Sequence, residues 1–255
     1  MLTTKGLSKS FGGFYAVKRL DLTVSEGTIH GMIGPNGAGK TTVFNLVSGA
    51  LEADEGRILY NSTDITGMKA FEIATMGVSR TYQQPRIMPR LSCVENVMAG
   101  MYISTKLDFL GTYLRAPFTA GKQETQIRNR AMELLDFVGM SGSGDRMAKD
   151  LVWAECHLVE IARALIMEPK LLMLDEPTSG MGDEEIEAIK KLVFSIKAQG
   201  ITIFLIAHDI KLVTEVSDIL TAISFGEKIA EGNPKDVVAD REVVKAYLGT
   251  EDENE

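Results

Sequence analysis

Two hydrophobic rhythms alternate along the chain, and the places where one gives way to the other lay out its elements. Over residues 2–25 the apolar positions recur every second residue, clearest where Leu20, Leu22 and Val24 interleave with Arg19, Asp21 and Thr23, as in half-buried strands. Glu26-Gly27 turns the chain, and Thr28-Ile29-His30-Gly31-Met32-Ile33 reads as a buried strand, with a helix starting at residues 42–48. Ala53-Asp54-Glu55-Gly56 marks a turn, and Arg57-Ile58-Leu59-Tyr60 followed by Asn61-Ser62 predicts a strand entering a hairpin. From residue 95 to about 164 the β-branched runs yield to helical spacing, best seen in Ile127, Ala131, Leu134, Leu135 and Val138, until Gly139 and Gly144 bracket a break.

Two further buried runs, residues 171–174 and 201–206, flank an amphipathic helix predicted over residues 183–199. Asp183, Glu184 and Glu185 favour its N-terminus, Ile186, Ile189, Val193 and Ile196 form one face, and Gly200 closes it. Within the middle stretch, residues 102–118 carry Phe109, Tyr113 and Phe118 with Gly111 and Pro117. They read either as subdomain core or as a docking surface for a partner helix.

Composition narrows the chemistry. At 255 residues the chain can bury a sizeable core around one α/β domain with an inserted or appended subdomain. The formal charge of −8, with no long run of Lys or Arg to offset it, argues against a nucleic-acid surface. Cys93 and Cys156 lack metal-ligand spacing and read as reduced thiols, small apolar fillers first of all. No apolar run approaches a membrane span, and residues 1–10 lack the apolar stretch of a signal peptide, so membrane association is expected through a partner.

The sharpest chemistry lies between the third strand and the following helix. Gly34-Pro35-Asn36-Gly37-Ala38-Gly39-Lys40-Thr41-Thr42 fits the phosphate-binding P-loop pattern in its required strand-loop-helix setting. Its glycines let successive backbone N–H groups turn inward as an anion nest, backed by the positive end of the helix dipole. Lys40 is expected to reach the β- and γ-phosphates, and the Thr41 hydroxyl to ligate Mg²⁺.

Downstream, Leu171-Leu172-Met173-Leu174-Asp175-Glu176 delivers two acids at a strand's C-terminal edge, where P-loop ligands sit. Asp175 is placed to hold Mg²⁺ through water, and Glu176 to orient or deprotonate an attacking water. His208 emerges from the same edge, within reach of a γ-phosphate or that water. Phe11, in Phe11-Gly12-Gly13, stands at a turn able to present a ring to a base, although a lone Phe is more often packed in a core. The tail Glu251-Asp252-Glu253-Asn254-Glu255 is acidic and reads as disordered.

Together these elements resemble the ATPase subunit of ATP-binding cassette (ABC) transporters over almost the whole chain. The resemblance implies an α/β P-loop NTPase (RecA-like) core with an N-terminal antiparallel β subdomain and an inserted helical subdomain. Residues 1–88 and 165–250 then form the core with its β subdomain, 89–164 the helical subdomain with the signature loop, and 251–255 the acidic tail. It implies that Phe11 stacks on adenine, that residues 34–42 are the Walker A loop, and that Gln83 in Arg80-Thr81-Tyr82-Gln83 senses Mg²⁺ and couples to the membrane subunit. Asp175-Glu176 matches Walker B plus catalytic base, residues 179–182, beginning at Ser179, the D-loop, and His208 the switch histidine. Such ATPases work as head-to-tail dimers, each ATP lying between one subunit's Walker A and the other's signature loop.

Within the family the chain looks most like subunits of branched-chain amino acid importers. The residues carrying this are Phe11-Gly12-Gly13 with Ala16-Val17, Glu95-Asn96-Val97-Met98-Ala99-Gly100, Glu160-Ile161-Ala162-Arg163-Ala164-Leu165, His208-Asp209-Ile210-Lys211-Leu212-Val213 and Ala246-Tyr247-Leu248-Gly249. The implied cofactors are ATP and Mg²⁺. The implied partners are membrane-spanning permease subunits and a second ATPase chain, at the cytoplasmic face of the inner membrane. Relatives moving urea or amides are the nearest alternative solute class.

One stretch departs from the family. Where L-S-G-G-Q or L-S-Y-G-Q is usual, this chain has Leu151-Val152-Trp153-Ala154-Glu155. Val152 has no hydroxyl to donate to a partner-bound γ-phosphate, and the Ala154 methyl obstructs the close approach that glycine allows. Gly182 also stands where Asp or Asn is usual. The expectation is an asymmetric heterodimer, with a homodimer as the alternative. Competing classes are a nucleotide-binding regulatory partner with little hydrolysis, which Glu176 and His208 argue against, and a soluble ABC ATPase outside transport.

Overall fold

The computed structural model describes residues 1–101 and 117–248, with side chains from 124 onward in the second segment. The stretch read at 102–118 therefore lies outside it except for the backbone of its last two residues, as does the acidic tail.

The period-two N-terminal pattern forms β1 (Leu2–Phe11) and β2 (Phe14–Val24). With β4 (Glu55–Tyr60) and the short β5 (Thr63–Asp64) they build an antiparallel four-stranded sheet in the order β2-β1-β4-β5. Leu20, Leu22 and Val24 point inward while their polar neighbours face solvent, the alternation of a sheet with one wet face.

The continuous apolar runs form the second sheet. β3 (Ile29–Ile33), β7 (Leu171–Asp175) and β8 (Thr202–Ile206) are buried along their whole length. With β6 (Val78–Arg80), β9 (Ile219–Ser224) and β10 (Glu227–Gly232) they give six strands in the order β10-β9-β3-β8-β7-β6. All neighbours are parallel except the antiparallel edge strand β10. Burial on both faces explains why these strands lack alternation. Leu171, Met173, Phe204 and Ile206 pack into one core, against the four-stranded sheet and α1 (Lys40–Val47), with Phe44 and Phe204 ring centroids 4.7 Å apart. Leu172, Leu174, Ile203 and Leu205 pack into the other, against the remaining helices.

α2 (Ala70–Thr75) precedes β6, and α3 (Cys93–Met98), α4 (Pro117–Phe137) and α5 (Trp153–Leu165) pack on one another between β6 and β7. Ser92 and Glu95 cap α3 reciprocally, the Ser92 hydroxyl accepting from Glu95 N–H and the Glu95 carboxylate from Ser92 N–H at 2.7 Å. Ala131, Leu134, Leu135 and Val138 are buried in this body, and Cys93 is a free thiol within it. α6 (Asp183–Ala198) joins β7 to β8. α7 (Ile210–Val216), α8 (Pro234–Ala239) and α9 (Arg241–Leu248) complete the described chain.

Several boundaries differ from the sequence reading by one or two residues, β4 for instance starting at Glu55 rather than Arg57. The first helix starts at Lys40, two residues early, because Gly39 already takes its cap position at φ +103°. The strand expected from residue 201 starts at Thr202, whose hydroxyl accepts the Gly27 N–H.

Candidate functional site

The loop between β3 and α1 depends on glycine at defined points. Gly37 and Gly39 hold φ of +78° and +103°, and a Cβ at Gly39 would collide with the Ala16 carbonyl of β2. Ala38 closes a tight turn onto Pro35 O, and the Gly226 N–H of the β9–β10 turn bonds the Ala38 carbonyl at 3.0 Å. From the far side, Tyr247 of α9 bonds the Gly34 backbone, and burial pushes its hydroxyl above the ordinary tyrosine value. The Lys40 ammonium donates to the Gly34 and Pro35 carbonyls at 2.6 and 3.0 Å. Burial pulls its pKa below the usual lysine value, with the Glu176 and Asp175 carboxylates opposing.

Facing this loop is a half-open cleft of about 270 Å³. Residues 36–42 line it together with Ala16, Gln83, Glu176 and His208. Of the residues singled out in the sequence, the structure therefore brings Asn36, Gly37, Ala38, Gly39, Lys40, Thr41, Thr42, Gln83, Glu176 and His208 to one cavity. The parallel register accounts for the meeting of the last three: β7 and β8 end side by side, Asp175 against Ile206, and Glu176 N–H donates to Ile206 O at 2.8 Å.

Both oxygens of the Glu176 carboxylate are engaged. Gln83 Nε2 donates to Oε2 at 2.8 Å, and His208 Nε2 lies 2.6 Å from Oε1. Glu176 is buried and adopts φ +49°, a left-handed conformation uncommon for a side chain of this kind and concentrated at functional positions. Such a carboxylate, beside an anion nest and a lysine, is equipped to accept a proton or orient a water.

The remaining candidates lie outside the cleft's lining. Phe11 stands half-exposed at the end of β1, with the Lys9 ammonium 5.7 Å from its ring centre. Gly34 and Pro35 sit beneath the loop as acceptors for Lys40. Asp175 is almost fully buried, and its Oδ2 accepts from Arg80 Nη2 at 2.7 Å while Oδ1 has no hydrogen-bond partner. Val152 and Ala154 occupy the N-terminus of α5, where Val152 is 60 % exposed. Ser179 lies in the turn after Glu176, its N–H donating to Glu176 O at 3.1 Å.

For Mg²⁺ the donor chemistry fits. Among the described residues no group of three His, Cys, Asp or Glu side chains could hold a metal unaided. The cleft does offer the Thr41 hydroxyl and the Gln83 carbonyl, with the orphaned Asp175 Oδ1 behind them. Few protein oxygens, completed by phosphate and water, is how this ion is usually held.

Several positioning residues escape a motif search. Arg80 donates to Asp175, to Asn45 Oδ1 at 2.7 Å and to Ser48 Oγ at 3.0 Å, and lies over the Phe44 and Tyr82 rings. It thereby ties the ends of β6 and β7 to α1. Glu160, buried in α5, accepts the Tyr82 and Arg86 N–H groups at 3.0 and 2.9 Å, and Arg163 donates to Arg86 O at 2.6 Å, so one helix clamps the loop that carries Gln83. Burial raises the Glu160 pKa, and those backbone donors and Arg163 oppose the shift. The signal in the sequence was a Glu and an Arg spaced i, i+3 in a helix, which has many innocent causes.

At the start of α5 the Val152 side chain supplies no acceptor, so Glu155 carries the cap. Its carboxylate accepts Val152 N–H at 3.0 Å and both Arg146 Nη groups. Beside the residues flanking Gln83 runs a larger apolar groove of about 460 Å³, lined by Phe71, Ile73, Met88, Met167, Tyr82 and Arg86 among others.

Comparison with known proteins gives a consistent picture. The profile described as ABC transporter matches residues 17–179, and that described as branched-chain amino acid ATP-binding cassette transporter matches residues 227–253. The chain is 35% identical over 250 residues to the high-affinity branched-chain amino acid transport ATP-binding protein BraF of Pseudomonas aeruginosa, covering 98% of each. It is 33% identical over 253 residues to the probable branched-chain amino acid transport ATP-binding protein LivG of Methanocaldococcus jannaschii, covering 98% of this chain and 97% of that one. Among solved structures it is similar to a nucleotide-free ATP-binding cassette from an ABC transporter, with TM-score 0.84, 32% identity and coverage of 97% and 98%. A cassette in its ADP conformation gives the same TM-score and identity.

Proposed function

This chain belongs to the ABC transporter family, as a transport ATPase of its branched-chain amino acid import group, and from that premise we propose how its own residues divide the work. The chain hydrolyses ATP to drive uptake of branched-chain amino acids through membrane-spanning permease subunits. It does so from the cytoplasmic face of the inner membrane, where it is held peripherally by those subunits. No described helix is long and apolar enough to cross a membrane, and the groove beside Gln83 offers an apolar seat next to the loop that reaches the catalytic carboxylate.

The observation that carries the reading is Glu176 held between Gln83 and His208 across a cleft from Lys40. Residues 34–42 wrap the phosphates, Lys40 leaving the Gly34 and Pro35 carbonyls to meet the β- and γ-phosphoryl oxygens. Thr41, Gln83 and Asp175 would hold Mg²⁺, which would neutralise charge developing on the phosphates. Phe11 stacks on the adenine once the cleft closes, its half-exposed ring being free to do so. Glu176 orients the attacking water and takes its proton, and His208, already bonded to Glu176, contacts the γ-phosphate. Gln83 holds Glu176 through Nε2, which leaves its carbonyl to serve the ion and links occupancy of the site to the loop that carries it.

The second composite site differs. Its signature end, at Val152 and Ala154, offers neither a hydroxyl donor nor a glycine, and Ser179 opens the loop beside it. Loss of one such donor commonly lowers turnover by about 100- to 1000-fold. We therefore assign this chain to a heterodimer in which its own Walker motifs, completed by the partner's signature, form the working site. The test is steady-state hydrolysis by the purified chain, with Glu176→Gln as blank and nucleotide binding measured separately. Binding without turnover, and turnover on adding the second ATPase chain and the permease, is the expected result. Glu176-dependent turnover by the chain alone overturns the heterodimer. In the assembled complex, Val152→Ser with Ala154→Gly should raise turnover, and no rise would mean that the signature is not what limits the second site.

A further inference from the structure

Trp153 is the chain's sole tryptophan and the first residue of α5, in the middle of the altered signature. Its indole turns back on its own chain. Nε1–H donates to the Ser179 carbonyl at 2.8 Å, and the ring meets His157, one turn along the helix, edge to face at 5.4 Å. A Cβ on Gly180 would lie 3.4 Å from Trp153 Nε1, so the ring rests directly on the loop's glycine, which is held at φ +74°. Ser179 N–H in turn bonds Glu176 O, so a single residue separates the indole from the backbone of the catalytic carboxylate.

We propose that Trp153 is a positioning residue, a latch that ties the signature end of α5 to the turn after Glu176. The proposal rests on the head-to-tail reading above. In that arrangement the N-terminus of α5 faces the partner's nucleotide while Glu176 faces this chain's own, so the latch joins the altered site to the working one. Where the family's signature serine donates outward to the partner's phosphate, this chain spends its nearest side-chain donor inward. The latch is one hydrogen bond on a half-exposed ring, so it can open without unfolding. The buried Glu160, further along the same helix, keeps its hold on the Gln83 loop throughout.

Trp153→Phe keeps a ring near His157 and removes the donor together with the five-membered part of the indole that rests on Gly180. In the full chain, amide hydrogen exchange over residues 177–182 should quicken about fivefold, the effect of one ordinary net hydrogen bond, with residues 34–42 unchanged. In the complex assembled with the second ATPase chain and permease, kcat should fall about fivefold or more at unchanged KM for ATP, the size expected of an inter-site coupling. Unchanged exchange means there is no latch, and faster exchange with unchanged kcat means the contact is only structural. Either result overturns the proposal. Should the variant not fold, the native chain still decides through its sole tryptophan. ADP added to the monomeric chain should shift Trp153 emission, and emission indifferent to ADP overturns the latch. Failure of the dimer reading shows itself separately, as Glu176-dependent turnover by the native chain alone.

Discussion

Gly37 and Gly39 share the left-handed backbone region but differ in what surrounds them. A Cβ at Gly37 meets nothing within 4 Å, so alanine there carries only the intrinsic cost of that conformation, about 1 to 2 kcal/mol. A Cβ at Gly39 runs into the Ala16 carbonyl, and backbone has to shift where the loop turns into α1. Gly37→Ala should keep nucleotide binding within about tenfold of native, a change equivalent to roughly 1.4 kcal/mol. Gly39→Ala should abolish it and lower the unfolding midpoint more. Titration with a fluorescent ATP analogue, beside denaturant curves for both variants, checks the ranking. Equal losses would mean that Ala16 does not constrain the loop. The pattern G-x-x-x-x-G-K-[ST] names only one of these two glycines, and it is the one whose neighbour matters.

Among elements, the junction of β6, β7 and α1 hangs on Arg80. Its side chain and that of Asp175 are 6% and 2% exposed, so they form a buried pair in which Arg80 Nη1 is also spent on Asn45 and Ser48 while Nε has no partner among the described residues. Removing one member strands the other, and a single broken buried pair costs about 3 to 5 kcal/mol. Arg80→Met should therefore destabilise the chain by about that much, while Arg80→Met with Asp175→Asn should recover a large part of it. Denaturant unfolding of the three proteins measures this, and a double variant no better than the single one would show that the charge on Asp175 is not the cause.

This junction also marks how far the sequence could be read. The doubly buried strands β3, β7 and β8 were legible because short runs dominated by apolar residues have few other uses, and the acids at the end of β7 stood out against the four before them. The meeting of Glu176 and His208 followed from parallel strand ends once the P-loop fixed which edge carries ligands, while Gln83 was legible only through the family resemblance. What stayed hidden were contacts made across long separations by residues of ordinary kind. Arg80 reaches Asp175 across 95 positions and Glu160 reaches Tyr82 across 78, and no local period encodes either. Trp153 was visible only as a departure from a pattern, and no local period encodes its turn towards Ser179, 26 positions on.

For the whole molecule, acid should act through two histidines, one in each body. His30 lies buried in β3 within the six-stranded sheet, and His157 lies buried in α5. Burial lowers both pKa values from 6.5 to about 4. Each is then neutral in the folded chain at pH values where the unfolded chain has already bound a proton. Their contribution to stability is complete above pH 6.5 and is lost as pH falls towards 4, with a limiting slope of about 1.4 kcal/mol per pH unit for each histidine. Carboxylates do not mimic this in the upper half of the window. Asp54, lowered to about 2 by Lys9 and Ser10, yields its contribution only below 3.8, and Glu160, raised by burial, works in the opposite sense just above 4.5. Urea unfolding between about pH 7 and pH 5 should therefore show stability declining on the acid side of 6.5. His157→Phe, whatever its stability at neutral pH, should show about half the native slope. An unchanged slope would assign the acid response to groups other than His157. A slope that vanished would mean that only His157 contributes, His30 taking up its proton alike in the folded and unfolded chain. Because His157 packs against Trp153, the same protonation strikes the helix end that holds the turn after Glu176. In the native chain, turnover by the assembled complex should thus fall as pH approaches 4, and His157→Phe should lose that part of the fall.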